Sequence, residues 1–444
     1  MEFEELIRED SDAMIRDLKK LIAVKSVGQK GEGGYPFGTG VHRCLKECLS
    51  LAEKMGFQTA NIDNMLGYCE YGGGEEMTAV LGHLDVVPEG EGWTHPPYGG
   101  EEENGRIYGR GAIDDKGPLI AAMYALKAVR ESGIPLKRRV RIFFGLNEET
   151  GSADMKYYLS HGGEVPVMGF TPDGEFPLIN GEKGIVNAVY EKKIPQKEPV
   201  SGKGIRILEI HGGTAVNVVP ALASAVIEED GETKTVREEG TGAHASIPHK
   251  GVNAVGKLLA GLDGLESGGK LHDTIHFLAE RFGTEWDGQS AGVKCSDAVS
   301  GDLTLNLGTI AYDGETLRVG FSMRYPVTLD FETCGRKLEE LMHGAGFATA
   351  ELVHKKSLYM EEDSPLVKIL SSVYEEVTGF SGKPKCIGGG TYAKMMPNIL
   401  AFGPVFPGDP VCEHEPDEYV EREKLIRACT LMAHAISRMA GEED

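Results

Sequence analysis

RVRIFFGLNEETG, residues 139–151, runs an apolar segment directly into two adjacent acids, Glu148 and Glu149. A short apolar run bounded by turn residues is typical of a buried strand. Alternate residues of an extended chain point in opposite directions, so the two acids can face different tasks in one crevice. One carboxylate can hold a metal ion while the other carries protons.

Three more segments share this design, because each is an apolar or Gly-rich run that ends in a His or an Asp. They are LGHLD (81–85), GRGAIDDKG (109–117) and TPDGEFP (171–177). Strands at 76–84 and 140–146 alternate with a helix at 118–131, after a helix–loop–helix start at 1–55. This pattern predicts an α/β fold with a mostly parallel, doubly wound sheet. Ligands in such sheets bind beyond the carboxyl ends of the strands, where these acids and His fall.

The character of the sequence changes after about Lys183. Residues 184–357 contain predicted strand segments at 185–193, 205–213, 224–229 and 304–326 and two predicted helices, at 251–265 and 331–345. A helix at 365–378 and the segment after it resemble the first part again. We therefore expect one domain made of residues 1–183 and 358–444, interrupted by an inserted α/β domain of residues 184–357.

Length and composition limit the class of protein. A chain of 444 residues is too long for one ordinary core. The net charge of −23 disfavours nucleic acid and anionic membrane surfaces as partners. The acidic N-terminal segment lacks the features of a signal peptide, and no apolar run is long enough for a membrane span. Eight scattered cysteines without a CxxC pair predict reduced thiols and a cytoplasmic location.

Each candidate site residue is ambiguous when taken alone. Asp85 can accept the second ring N–H of His83, but many HxD sequences are structural. Asp114 and Asp115 either lie in a solvated loop, with Lys116 offsetting one charge, or share a carboxylate between two ions.

Taken jointly, the candidates contain two His and three or four carboxylates, which suit one or two divalent ions such as Zn, Mn or Co. Two adjacent ions can polarise a carbonyl and activate water, and a carboxylate that is not a ligand can move the proton. The sequence has no GxSxG elbow and no Walker or Rossmann pattern, which disfavours a serine nucleophile and nucleotide binding. Together these features predict a metal-dependent hydrolase.

Eight motifs in order resemble the zinc-dependent metallopeptidase family that includes carnosinases, the ArgE/DapE deacylases and carboxypeptidase G2, and above all its PepV-type dipeptidases. The resemblance covers nearly the whole chain. The motifs are LGHLDVVP (81–88), WTHPPYGG (93–100), YGRGAIDDKGP (108–118), NEETGS (147–152), TPDGEFPLINGEKG (171–184), MRYP (323–326), GGGTYA (388–393) and FGPVFPGDP with EHEPDEY (402–419).

The resemblance implies two divalent ions, with Zn preferred over Mn or Co. His83 and Asp173 would bind one ion and Glu149 and His414 the other. Asp114 would bridge the ions, and its bond to Asp115 resembles the cis peptide of the family. Glu148 would be the general acid/base that activates a metal-bridging water, and Asp85 would support His83 during catalysis. This chain also has Cys412 just before His414, which we expect to be packed.

The inserted domain resembles the family's lid, a ferredoxin-like α/β domain that is either single or doubled. The resemblance implies that substrate is bound by His244, Asn217, Arg324, Gly389, Gly390 and Thr391. The large size of the insert favours a monomer that uses its own His244.

The predicted function is therefore a dipeptidase acting on small L-dipeptides with a free N-terminus, including β-Ala-Xaa. Two alternatives stay open. One is an N-acyl amino acid deacylase of the acetylornithine or succinyl-diaminopimelate type, and the other is a catalytically inactive peptide-binding homologue.

Overall fold

The computed structural model describes residues 2–195, 205–265 and 267–441. The predicted domain ranges also contain residue 1, residues 196–204, residue 266 and residues 442–444, which lie outside this description. The helices of the described part are α1 Glu2–Ile22, α2 Thr39–Lys54, α3 Lys116–Ser132, α4 Ala153–Ser160, α5 Ala254–Asp263, α6 Gly269–Arg281, α7 Gly335–Gly344, α8 Pro365–Thr378 and α9 Arg422–Ala440.

Strands account for much of the remaining described chain. In order they are β1 Gln58–Ile62, β2 Leu66–Tyr71, β3 Met77–His83, β4 Glu101–Glu103, β5 Arg106–Tyr108, β6 Arg139–Gly145, β7 Met168–Thr171, β8 Gly174–Glu175, β9 Ile179–Glu182, β10 Gly184–Lys193, β11 Arg206–Gly212, β12 Leu222–Glu229, β13 Glu232–Glu239, β14 Ser296–Asp297, β15 Gly301–Asp302, β16 Thr304–Tyr312, β17 Thr316–Tyr325, β18 Ala348–Lys355, β19 Leu358–Tyr359, β20 Lys385–Ile387, β21 Ile399–Ala401, β22 Pro404–Val405 and β23 Tyr419–Glu421.

The chain divides into two compact units. Unit 1 contains residues 1–180, 360–385 and 391–444, and unit 2 contains residues 181–359 and 386–390. Among the described residues, no helix combines the length and apolar character that crossing a membrane requires. Cys44 and Cys48 are fully buried, as expected for packed thiols.

Unit 1 is built on a mixed sheet with strand order β1-β2-β6-β3-β7-β21-β9. The central strands β6, β3, β7 and β21 are parallel to one another. The pairs β1–β2, β2–β6 and β9–β21 are antiparallel. The prediction of a mostly parallel sheet is therefore correct for the centre and wrong for the flanks. The first flank is a hairpin, whose short turn can join only antiparallel strands.

Helices cover both faces of this sheet. A Cβ at Gly82 of β3 would lie 2.8 Å from Leu119 of α3, so that helix packs closely on one face. On the other face Phe143 of β6 meets Tyr158 of α4 edge to face, with ring centroids 5.2 Å apart. All seven residues of β3 are buried, as the apolar run at 76–84 predicts. The carboxyl ends of β3, β6 and β7 therefore open at one edge of a well-packed sheet.

Unit 2 contains a seven-stranded antiparallel sheet with the order β13-β12-β11-β16-β17-β10-β18. Its core includes apolar residues of α5, α6 and α7, among them Leu258, Leu278 and Leu338. Three helices of this unit are described where the sequence predicts two, since α6 was missed. The strands β13 and β18 were also missed. Both are sheet edges with mostly exposed residues, so neither has an apolar run that a sequence pattern can detect.

Candidate metal centre

His83 is the last residue of the buried strand β3 and is itself fully buried. Its backbone N–H donates to Asp115 Oδ2 at 3.0 Å. A Cβ at Gly82 would lie 2.7 Å from the same Asp115 oxygen, so this approach requires glycine. The ring Nδ1 contacts the backbone carbonyl of Asp85 at 3.0 Å, nearer than the Asp85 carboxylate at 3.5 Å. The ring is thereby oriented with Nε2 toward the strand-end crevice.

Asp114 lies between the two histidines of the site. Its Oδ1 is 3.1 Å from His83 Nε2, and its Oδ2 is 2.9 Å from His414 Nε2. The Asp114–Asp115 peptide bond is cis, as the resemblance implies. Each carboxylate oxygen thus faces a different histidine, which is the arrangement required of a carboxylate shared by two ions.

Glu148 and Glu149 form a turn just beyond β6, and Asp85 holds that turn. Asp85 Oδ1 accepts from the Glu148 N–H at 3.1 Å, and Oδ2 accepts from the Glu149 N–H at 3.2 Å. Glu149 Oε2 lies 3.4 Å from His414 Nε2. The carboxylate of Asp85 therefore contacts the backbone of the acidic pair more closely than the ring of His83.

Asp173 follows β7 and completes the group of candidate strand-end ligands. Its Oδ2 lies 4.0 Å from His83 Nε2. Three neighbouring parallel strands, β6, β3 and β7, thus deliver acids or a histidine to the same edge of the sheet.

The charges of the site are unbalanced in favour of carboxylates. Burial raises the pKa of Glu148 to about 8, and it also raises the pKa of Glu149 and of Asp173. Contacts with the carboxylates of Asp114 and Glu149 raise the pKa of His414 to about 10. The two effects have different physical causes: removal from water disfavours the ionised carboxyls, whereas the nearby carboxylates favour the cationic imidazole of His414 and outweigh its own desolvation.

The side chains fit divalent ions. Among the described residues, Glu149 Oε1 is buried without a hydrogen-bond partner, and His83 Nε2 is buried near Asp114 Oδ1 without a well-formed hydrogen bond, which is costly unless an ion binds them. Ligand atoms of His83, Asp114 and Glu149 all lie within 4.8 Å of one another, as do those of His83, Glu148 and Asp173. A donor set of imidazole nitrogens and carboxylate oxygens suits Zn, Mn or Co.

Two side chains that are next to the candidate ligands in sequence point away from the candidate metal centre. The ammonium of Lys116 donates to the carbonyls of Leu21 and Val24 at 3.0 and 2.8 Å, so it forms no contact that neutralises the adjacent aspartates. Cys412 Sγ donates to the Tyr419 carbonyl at 3.4 Å. Burial raises the pKa of Cys412 to about 11, so this thiol stays protonated and packed.

Comparisons with known proteins identify the family of this chain. The model of peptidase family M20/M25/M40 matches residues 79–438. YtjP of Bacillus subtilis is 38% identical to this chain, and the alignment covers 98% of this chain and 99% of YtjP. The Beta-Ala-Xaa dipeptidase of Lactobacillus delbrueckii is 32% identical, with coverage of 100% and 99%. The chain belongs to peptidase family M20/M25/M40.

The fold of a solved structure is also similar. The aminoacylhistidine dipeptidase from Vibrio alginolyticus aligns with a TM-score of 0.63 at 14% identity and covers 97% of each chain. The predicted metallopeptidase class is thus confirmed, and the mixed α/β fold is that of the M20 family. Members of this family use divalent metal ions.

The candidate site contains two buried groups that the sequence did not indicate. Tyr392 donates to Asp154, whose Oδ2 also accepts from the N–H groups of Leu146 and Asn147 at 2.6 and 3.0 Å. The Tyr392 ring meets the His83 ring edge to face at 5.9 Å. Tyr392 appears in the quoted motif GGGTYA, but its partner lies 238 residues away in the sequence.

The other missed group is the ion pair of Arg110 with Glu418, with 2.7 Å between Nη1 and Oε2. Both residues belong to quoted motifs, YGRGAIDDKGP and EHEPDEY. Nothing in either motif by itself indicates that the two pair.

Unit 2 brings Asn217 and His244 onto adjacent segments. The Asn217 carbonyl accepts from the Ala245 N–H at 2.9 Å. His244 is exposed, and its Nδ1 accepts from the Ser246 N–H at 3.2 Å. In the neutral ring the proton is therefore on Nε2, which can donate to a substrate oxygen.

Arg324 lies on β17 in the same unit, paired with Thr304 of β16. Thr304 Oγ1 donates to the Ala245 carbonyl at 3.1 Å, which ties this strand pair to the segment of His244. Burial lowers the pKa of Arg324 to about 10, and its Nε has no hydrogen-bond partner among the described residues.

The glycine run approaches the same segment, since a Cβ at Gly388 would lie 2.8 Å from Ser246 Cβ. Gly389 and Gly390 belong to unit 2. Thr391 belongs to unit 1, where its side chain accepts from the Ala393 N–H at 3.1 Å and starts a short 3-10 helix.

Proposed function

We propose that this M20 peptidase is a dipeptidase that hydrolyses small L-dipeptides with a free N-terminus, including β-Ala-Xaa dipeptides. The observation that carries this proposal is the position of Asp114, with one oxygen toward His83 and the other toward His414. Similarity over full length to the Lactobacillus Beta-Ala-Xaa dipeptidase supports the substrate class.

Two divalent ions, Zn in preference to Mn or Co, fit the donors around this carboxylate. His83 and Asp173 would hold one ion, Glu149 and His414 the other, and Asp114 would contact both. When bound, the ions would polarise the scissile carbonyl and lower the pKa of water.

Glu148 is the proposed proton carrier. It is adjacent to the ligands in a buried turn, and Asp85 fixes its backbone N–H. Without metal ions, burial raises the pKa of Glu148 to about 8, and cations bound beside it would lower this pKa again, so that the carboxylate could accept a proton near neutral pH. Its carboxylate would take a proton from the attacking water and deliver it to the leaving amine of the dipeptide.

Unit 2 would supply substrate contacts and act as the inserted lid domain. The buried guanidinium of Arg324 suits the free carboxylate of a dipeptide, because its planar fork matches that group. His244 Nε2 would donate to the oxyanion, and Asn217 would bind the substrate backbone. Gly389, Gly390 and Thr391 would line the pocket. We further propose that the enzyme acts as a cytoplasmic monomer.

The test is a panel of dipeptides assayed beside matched N-acetyl amino acids, with Zn, Mn or Co added to chelator-treated protein. We expect turnover of free dipeptides, including β-Ala-His, and little turnover of the acylated compounds. Turnover of acylated substrates alone would replace the dipeptidase with an N-acyl amino acid deacylase. Metal uptake without any turnover would favour a peptide-binding homologue.

A further inference from the structure

Glu418 is a fully buried acid that binds the loop of the bridging ligand. Its Oε1 accepts from the N–H groups of Gly111 and Ile113, both at 3.0 Å, and from the Asp114 N–H at 3.3 Å. One carboxylate oxygen thus accepts hydrogen bonds from three backbone N–H groups of a single turn. Since Asp114 is among them, the position of its backbone depends directly on Glu418.

Arg110 connects the same carboxylate to the loop of the second histidine. Its Nη1 binds Glu418 Oε2 at 2.7 Å, and its Nη2 donates to the His414 carbonyl at 3.2 Å. Nη2 also lies 3.4 Å from the carbonyls of Pro88 and Glu89. The guanidinium therefore joins three chain segments, two of which carry proposed metal ligands.

Stability alone does not explain this pair. Arg110 and Glu418 expose 1% and 0% of their side chains, so both charges are removed from water. Desolvation of such a pair often exceeds its mutual attraction, and apolar residues of similar volume can replace it without loss of stability. Polar partners that orient ligands, in contrast, strongly affect how well a metal site binds its ion.

We propose that Glu418 and Arg110 are positioning residues that set the separation of Asp114 and His414, and through it the affinity for the second metal ion. The inference rests on the two-ion centre proposed above. His83 is held by β3 and by Asp115, so this pair would act on the first ion only through Asp114, and the affinity for that ion should change less than the affinity for the second.

The principal variant is Glu418→Gln, which keeps an acceptor oxygen for the three amides and removes the charge that binds Arg110. Chelator-treated protein would be titrated with Mn²⁺ alone, with free Mn²⁺ measured by electron paramagnetic resonance. We expect the weaker of two binding steps to lose about 10–100-fold in affinity, and the tighter step to lose less, because the glutamine oxygen still accepts from the Asp114 N–H.

Glu70→Gln is the matched control. Glu70 pairs with Arg141 at 2.6 Å, and these side chains are 15% and 8% exposed, but the pair contacts no ligand-bearing loop. Melting temperatures measured with chelator present separate stability from metal affinity. A purely structural role predicts that both substitutions lower the melting temperature and that neither changes Mn²⁺ affinity in the folded protein.

Arg110→Met keeps the test decisive if Glu418→Gln does not fold. It leaves Glu418 on its three amides and removes the guanidinium contacts with Glu418 and with the carbonyls of His414, Pro88 and Glu89. We expect the same selective loss of the weaker Mn²⁺ step. In the double variant Arg110→Met/Glu418→Gln, a recovered melting temperature with affinity still weak would support positioning, whereas recovery of both would overturn it.

The result also separates this inference from the proposed function. Wild-type protein that binds fewer than two Mn²⁺ ions would remove the two-ion centre itself. Wild-type protein that binds two, with Arg110→Met and any folded Glu418→Gln binding both as tightly, would overturn the positioning role and leave the dipeptidase proposal intact.

Discussion

His83 and His414, the two histidines of the proposed centre, are placed in opposite ways. His83 ends a central strand whose seven residues are all buried, and its own side chain is fully buried. His414 lies in a loop with a φ of 66°, and 52% of its side chain is exposed. A non-glycine residue in this left-handed region needs support from its surroundings.

This difference shows which parts of the structure hold each histidine in position. His83 is held in position by the sheet, whose hydrogen bonds and packing involve many residues. His414 depends on a few side chains that bind its loop, chiefly Arg110 through the His414 carbonyl and Asp417 three residues later. We call the part of the site around His83 the strand-borne half and the part around His414 the loop-borne half. Substitutions in the strand-borne half should mainly change the rate of catalysis, and substitutions in the loop-borne half should mainly change the affinity for metal.

Glu148→Gln should have the largest effect on the strand-borne half. Glutamine keeps the size of the side chain but cannot take a proton, so we expect kcat to fall by roughly 10²–10⁴-fold. Metal content should stay at the wild-type value, because the ligands are unchanged. Steady-state kinetics on a free dipeptide and metal analysis by mass spectrometry measure the two quantities.

The control is Glu91→Gln, the same substitution at an exposed acid outside the site, which should retain activity. If Glu148→Gln kept more than half of the wild-type kcat, Glu148 would not be the proton carrier. If it lost an ion as well as activity, Glu148 would be a ligand instead.

Asp85→Asn should have an intermediate effect on the same half. An asparagine can present only one oxygen to the two N–H groups of Glu148 and Glu149, so its amide would face one of these donors. We expect a loss of about 10–100-fold in kcat/KM, with Mn²⁺ affinity also reduced because Glu149 is displaced. Kinetics and Mn²⁺ titration of the same sample measure both.

A fall in kcat/KM with unchanged Mn²⁺ affinity would show that Asp85 positions Glu148 and not Glu149. Wild-type values of both would show that the sheet alone holds the turn. In that case the contrast between a sheet-held and a side-chain-held half would become stronger.

The sequence could indicate the candidate strand-end ligands for a physical reason. A polar residue after a buried apolar run is unusual, and parallel strands bring such residues to one edge. His83, Glu149 and Asp173 could be found in this way. The Arg110–Glu418 pair could not, because its partners are 308 residues apart and only tertiary structure brings them together.

The helices and strands show the same difference between elements that the sequence predicts and elements that it does not. The predicted helix at 365–378 matches α8, and the predicted strand at 140–146 differs from β6 by one residue at each end. Both elements have clear apolar patterns, and α8 also begins with a Ser364 cap and Pro365. The missed strands β13 and β18 lie at sheet edges, where most of their side chains are exposed to solvent. Their sequences therefore lack the alternation of apolar and polar residues that predicts a strand.

Asp417→Asn should have the smallest effect, and it examines the loop-borne half alone. Asp417 Oδ1 accepts from the N–H groups of Thr94 and His95 at 2.9 and 3.0 Å, and Oδ2 accepts from the Thr94 hydroxyl at 2.7 Å. Asparagine keeps one acceptor oxygen, and the site is partly exposed, so we expect a loss of about 1 kcal/mol in unfolding free energy. Affinity for the second ion should fall by no more than about threefold, because Arg110 still holds the His414 carbonyl. Denaturant unfolding and Mn²⁺ titration measure these quantities, and hydrogen exchange across residues 411–418 should increase. A loss of affinity as large as that of Glu418→Gln would mean that Asp417, and not the buried ion pair, is the main support of this loop.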